Sequence, residues 1–401
     1  MNNMDKKSHE KSSDFIKCRY FNGYKPCHRN SMCSDDCPSF EIPEFSILIV
    51  HLGAMGAVLR STALLRSIKR KYPKSFITWV TEENTKPLLW NNPLIDKILG
   101  LTTRDTLILS SMRFDIGFFI DKSPEVAGLA KLANPQECFG FTVAPQNGAI
   151  VPISKSAHPL WELGLSNQKK FFENKKTELS LIAEALELPY QRDEYIVCLS
   201  SDEKILSQKR RAEWSEFGKK ILIGLNTGTS GVLPHKTISI EMWLEIIERT
   251  SAILQKNHIQ YQWVLLGGGA VDNERNHQII NKAKGHGIIF SPATEGLRNG
   301  LSSVDAVDLV VTGDSLGMHM AIALQKQVIA WFGPTCDHEI DLFDRGIKIK
   351  SSMSCSPCWK RSCDQPIPCN QRLDIDSMTS NIIRNCLKLI TKKEIDCDVS
   401  F

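Results

Sequence analysis

The 401-residue chain has no apolar run long enough to cross a bilayer; "ILIV" and "WVLL" are strand-sized. Its opening stretch, "MNNMDKKSHEKSSDF", lacks the apolar core of a secretory signal, so the expected location is the cytoplasm. Charge is nearly balanced: 49 Lys and Arg face 45 Asp and Glu, and the net +4 argues for neither nucleic acid nor a polyanion. Walker spacing and short repeats are missing too. The expectation is therefore no membrane span, no secretion and no nucleic-acid partner. The densest positive stretch, "RSIKRKYPK" (66–74), reads first as a solvated helix face and second as a patch for an anionic acceptor or a membrane surface.

Cysteine is the residue the chain does not lack. Of thirteen, eight fall in two groups: Cys18, Cys27, Cys33 and Cys37, and Cys355, Cys358, Cys363 and Cys369. Without secretion, structural disulfides are not expected, and clustered thiols suggest metal ligation or redox chemistry. Cys355-x-x-Cys358 is a spacing at which two thiolates reach one tetrahedral ion. The first group has wider gaps but keeps three thiols near His28. Zinc is the default for four sulfurs, iron or an iron–sulfur cluster the runner-up, and free packed thiols the alternative. The two groups could also share one site.

Residues 1–43 read as a polar, cysteine-containing leader. From Phe45 onward, strand-sized apolar runs alternate with helical stretches, the pattern of a mostly parallel sheet covered on both faces. One series occupies 44–190, a charged connection 191–218, a second series 219–390 and a tail 391–401. The expected class is α/β, with two Rossmann-like domains facing a central cleft. "VLRSTALLRSIKRKY" reads as a single helix. After Ser239, a plausible N-cap, Ile240, Trp243, Leu244 and Ile247 recur at helical spacing as one buried stripe.

Ligands in open α/β sheets bind outside the carboxyl ends of the strands, which selects three loops of the second half. "LNTGTSGVLPHK" offers glycine backbone, the hydroxyls of Thr227, Thr229 and Ser230, and the cation of Lys236, a set suited to a diphosphate. "LLGGGAVDNERN" permits close backbone approach, and Glu274 could accept from a ribose or sugar hydroxyl. "VVTGDSLGMHMAIAL" opens a helix whose amides would face an anion, with Asp314, Ser315, Gly317 and His319 at its mouth. Taken singly, each loop also fits an ordinary turn, and His319 a satisfied structural histidine.

Taken in order, these loops resemble glycosyltransferase family 9, the heptosyltransferase family. The likeness runs over roughly residues 46–385 and rests on "ILIVHLGAMGAVLRSTALLRSIKRKYP", "WVTEE", "NPLIDKIL", "NTGTS…K…MW", "LLGGG…ERN", "TGDSLGMHMA" and "WFGPTCDHEIDLF". It implies a GT-B fold and metal-independent, inverting transfer of heptose from an ADP-activated donor, commonly onto lipopolysaccharide inner core. The implied partners are an ADP-sugar and a glycan or lipopolysaccharide-core acceptor. No cofactor is implied for transfer, and peripheral contact with the inner membrane accompanies a lipid-borne acceptor. Lys236 then matches the lysine on the donor diphosphate, Asp314 the aspartate on the donor sugar, and His319 the motif's histidine. Similar Cys-rich tails are seen in this family.

The first turn, Gly53 to Arg60, departs from the family. Where Gly-Asp is common, with the Asp as expected general base, the chain has Gly56–Ala57. The motif also reads Leu316–Gly317 where Gly–Pro is common. Replacement bases are expected among Asp121, Glu83, Glu82 and His51, the first two ranked ahead as carboxylates at strand ends. A non-catalytic sugar-nucleotide or glycan binder that lost its base is the alternative reading, and a redox or metal sensor on a transferase scaffold is the third.

Overall fold

The computed structural model describes residues 14–398 except Ser230. The first sheet comprises β1 (Phe45–Val50), β2 (Ser75–Thr81), β3 (Lys97–Gly100), β4 (Ile116–Phe119), β5 (Glu137–Val143) and β6 (Ile150–Pro152), ordered β3-β2-β1-β4-β5-β6. All pairs are parallel except β5–β6. The second comprises β7 (Ile221–Asn226), β8 (Tyr261–Leu266), β9 (Ile289–Phe290), β10 (Leu309–Gly313), β11 (Gln327–Phe332) and β12 (Gly346–Lys350), all parallel and ordered β12-β11-β10-β7-β8-β9. Read from its own first strand, the second sheet repeats the 3-2-1-4-5-6 order of the first. Each half is thus a Rossmann-like unit with a switch point beside its first strand.

Alternation along the strands divides the core into layers. Ile47 and Ile49 face inward, and Leu48 and Val50 face an outer layer with Phe119 and Val126. In β7, Leu222 faces inward while Ile221, Ile223 and Leu225 pack under Trp243, Trp263 and Trp331. The inner layer is continuous between the halves, running from β1 and β2 through Leu186 and Tyr195 to Met318 and Ile322.

The helix Ile240–Lys256 is capped by Ser239, whose hydroxyl accepts from Met242 N at 3.2 Å. Its buried stripe is Met242, Trp243, Ile246, Ile247, Thr250, Ser251 and Leu254, turned from the expected one so that Ile240 and Leu244 sit at the margin. The stretch expected as one helix after β1 is two, Met55–Ser61 and Leu64–Lys71. Thr62 marks the break: its hydroxyl donates to Leu59 O at 2.6 Å and accepts from Ile196 N at 2.7 Å, tying the break to the connection. Within the connection, the helix Ser201–Trp214 carries a Ser200–Glu203 capping box and packs on Leu297–Ala306 of the second half. Arg298 joins the pieces, donating to Pro87 O at 2.9 Å and Cys198 O at 2.6 Å while paired with Glu203.

The halves approach most closely where the helix Met55–Ser61 meets the helix Leu316–Ala323. A Cβ added at Gly56 would lie 2.4 Å from His319 Cδ2, closer than any real contact. Gly56→Ala is expected to destabilise the chain by about 1–3 kcal/mol through overpacking, read as a lower apparent Tm. Gly128→Ala, in the exposed face of the helix Pro124–Ala133 where an added methyl meets nothing within 4 Å, is the control and should leave Tm unchanged or slightly raised.

Candidate active site

The two switch points face one another across a cleft of about 1200 Å³, lined from both halves. On the first-half wall, β1 turns through His51–Ala54 into the helix Met55–Ser61. Gly53 lies within that turn, and Gly56, Ala57 and Arg60 face the cleft. Asp121, just past β4, does not line the cleft; its carboxylate accepts from Leu52 N at 2.5 Å and lies 3.4 Å from His51 Nε2. Burial pushes Asp121 up and His51 down. The pair is occupied in holding the turn. Glu83 points outward, 3.2 Å from Lys86, and Glu82 is likewise exposed. Neither first-ranked replacement base therefore reaches the cleft.

Two carboxylates outside the sequence expectation do line it. Glu178, first residue of the helix Glu178–Ala185, pairs with the buried Arg60. Glu339, in the short turn Asp337–Glu339 after β11, comes from the second half and lies 3.8 Å from Lys170. Burial, reinforced by the charge of Glu178, raises Glu339 to about 7. A carboxyl tuned there is poised to take a proton near neutral pH. Cys336 and His338 bring ligand atoms within 4.8 Å of Glu339 and of each other, a closeness that follows from sharing one turn.

The second-half wall follows β7 and β10. Asn226, at the end of β7, is a buried hub: its amide donates to Gly228 O at 3.1 Å, Thr312 Oγ1 at 3.0 Å and Ser315 Oγ at 2.9 Å. Ser315 caps the helix Leu316–Ala323, and Gly317 has no room for a Cβ against Asn226. The Lys236 ammonium lies 3.0 Å from Asp314. Burial would raise Asp314, but Lys236 outweighs it and holds the carboxyl below its usual range. One wall of the cleft thus carries a fixed cation, a carboxylate and helix N-terminal amides.

His319 lines the cleft, stacked on Tyr195 with centroids 5.9 Å apart. Burial, with Arg60 nearby, drives it down to about 3, so it is neutral at physiological pH and offers a ring hydrogen bond rather than a charge. Thr229 lines the cleft, its hydroxyl 2.8 Å from that of Thr237. Thr227 turns inward, donating to Asn276 at 2.6 Å. Glu274 is on the exposed side of its helix, whereas Asp272, half a turn earlier, lies under the loop. It accepts from Gly268 N at 3.0 Å, pairs with Arg275 at 2.8 Å and leaves Gly228 no room for a side chain. Ser230 lies outside the described residues.

The C-terminal cysteines ride on an irregular strap between β12 and the helix Ile375–Asp398, which adds Trp359 to the cleft wall. Cys369 is buried against Gly333, and burial, with Cys358, Cys363 and Cys355 nearby, raises its thiol to about 11. Four of the five cations of the basic stretch 66–74 make ties within the chain: Arg70 to Asp193, Lys69 to Ser75 O, Lys71 to Glu187 O and Lys74 to Glu44. No helix among the described residues is long and apolar enough to cross a membrane.

The family model described as glycosyltransferase family 9 (heptosyltransferase) matches residues 122–367. Among curated proteins, lipopolysaccharide heptosyltransferase 1 of Campylobacter coli is 36% identical over 67 residues, 17% of this chain and 20% of that relative. The matched part is therefore about one fifth of the relative's length. Among solved structures, a glycosyltransferase family 9 protein of Veillonella parvula superposes with TM-score 0.70 at 16% identity, covering 87% of this chain and 99% of the other. The ADP-heptose lipopolysaccharide heptosyltransferase II of E. coli does so with TM-score 0.60 at 17% identity, covering 86% and 99%. These likenesses show the GT-B fold. With the family model spanning more than half of the sequence, the chain belongs to glycosyltransferase family 9 and is a glycosyltransferase.

Proposed function

We propose that the enzyme transfers heptose from ADP-heptose, with inversion, to a hydroxyl of a lipopolysaccharide-core or related glycan. The observation that carries this reading is the Lys236–Asp314 pair beside the N-terminus of the helix Leu316–Ala323, sharing one cleft with Glu339. The acceptor oxygen attacks the anomeric carbon as the bond from that carbon to the diphosphate oxygen breaks. Lys236 and the helix amides take up the charge on the departing diphosphate. Asp314 accepts from hydroxyls of the donor sugar. The acceptor proton passes to the Glu339 carboxylate, while Glu178 is paired with Arg60. A carboxylate from the opposite half supplies what Ala57 cannot. The nature of the sugar is supported by the name of the E. coli neighbour, and the acceptor by the lipopolysaccharide enzymes among the relatives.

Incubation with ADP-heptose and core-type acceptors should release ADP and add one heptose to the acceptor by mass. Donor binding without turnover would instead favour a glycan-binding relative. Lys236→Ala is expected to lower kcat by about 10²–10³ through lost stabilisation of the leaving group, in a protein whose circular dichroism is unchanged. Glu339→Gln should cost about 10²–10⁴.

The pH profile carries the sign. A base acts when deprotonated, so wild-type kcat/KM should rise with pH through about 7 and fall below it. Glu339→Gln should remove that limb, and adding Ala57→Asp to it should restore part of the rate at lower pH. A Glu339→Gln enzyme with the wild-type rate and profile would sink the assignment of the base.

A further inference from the structure

Between Asp14 and Glu44 the chain forms one short turn, Asp14–Lys17, and no strand. None of these described residues is fully buried, so the segment has no apolar core of its own. Ordering its backbone costs roughly 1–2 kcal/mol per residue. Its attachment is concentrated at Arg19, which reaches Glu41 at 3.0 Å, Asp96 at 3.0 Å and Ser75 O at 2.5 Å. That contact fixes the base of the segment and leaves the fold of Tyr20 to Phe40 unexplained. Small units without a core are held by disulfides or by metal.

All four leader cysteines, Cys18, Cys27, Cys33 and Cys37, line one small cavity of about 20 Å³, with Phe21 and Phe40 also in its wall. None of them is in a disulfide. The Asn30 amide donates to Cys37 Sγ at 3.3 Å, a bond of the kind that orients a metal-bound thiolate. The residues between successive cysteines form turns, including Phe21 N to Cys18 O, Asn30 N to Cys27 O and Cys37 N to Ser34 O.

We propose that these four thiolates hold a four-iron iron–sulfur cluster that serves as the structural core of the leader. Sulfur spacing favours the cluster over a single ion. A zinc tetrahedron with Zn–S of about 2.3 Å needs its sulfurs about 3.8 Å apart. Among the described residues, no three of the four sulfurs lie within 4.8 Å of one another. A cluster, which gives each cysteine its own iron, holds the ligating sulfurs farther apart. The wide gaps along the chain, without a Cys-x-x-Cys pair, agree with ligands set around a larger body. The site is remote from the cleft residues and stands independently of the transfer reaction.

The test is metal and sulfide analysis of the full chain, purified without oxygen or chelator and, if incompletely filled, reconstituted with ferrous iron and sulfide. Expected are iron and acid-labile sulfide in equal amounts and a broad visible absorption. Cys27→Ser and Cys33→Ser should each lose at least tenfold of both, and become sensitive to protease ahead of Phe45. ADP affinity should be unchanged in both, which shows the two sheets intact. The Cys355→Ser/Cys358→Ser double variant should keep the iron and sulfide. Zinc without sulfide, or no metal after reconstitution, would overturn the cluster. Iron lost from the Cys355/Cys358 variant and retained in the leader variants would overturn its placement.

Discussion

The close contact of Gly56 with His319 is the constraint on which the rest of the cleft depends. It brings the first helix of one half against the helix that follows β10 in the other. A side chain at position 56 would push those helices apart and separate Arg60 and Ala57 from Asp314 and Lys236. The contact also buries His319 against Tyr195, which is why its imidazole stays neutral. One missing side chain therefore sets both the width of the cleft and the charge on a residue within it.

Electrostatics in the cleft work by mutual compensation. Arg60 is buried against Glu178, and Lys236 against Asp314, so neither cation stands as an uncompensated interior charge. Glu339 is the exception: its nearest cation, Lys170, is 3.8 Å away, and burial together with Glu178 raises its proton affinity. The same low-dielectric setting thus holds Asp314 below its usual range beside Lys236 and raises Glu339 to about 7. Strong pairing fixes charge; weak pairing leaves a proton free to move.

Much of the architecture was legible because strands of parallel sheets, buried on both faces, read as continuous apolar runs ending in glycine turns. The second-half wall of the cleft was legible for a related reason: Lys236, Asp314 and Ser315 follow strand ends in chain order. Helical phase defeated finer assignments. The loop motif points to Glu274, yet two residues of rotation send it to solvent and place Asp272 beneath the loop. Thr227 was read as a donor contact, but Asn276 claims its hydroxyl. Glu178 and Glu339 could not be singled out, since their meeting depends on the tertiary arrangement of two elements 161 positions apart. Glu339 even stood inside a quoted motif, "WFGPTCDHEIDLF", with nothing local to mark it. Asp121 looked available because a strand end is exposed in the abstract; here the backbone of the preceding turn consumes it.

Both sheets share one strand order, so the turn after β1 and the turn after β7 are the same architectural position used twice. Both open onto the one cleft. A binding space enclosed by two such units has redundant walls, and a chemical group lost from one can be supplied by the other without altering either sheet. On the proposed reading, Ala57 is less a defect than a relocation, with the role of base moved across the gap to Glu339. Sequence motifs that assume a role stays at its address will misjudge members of such families as inactive, whereas the shared space between the units keeps the account.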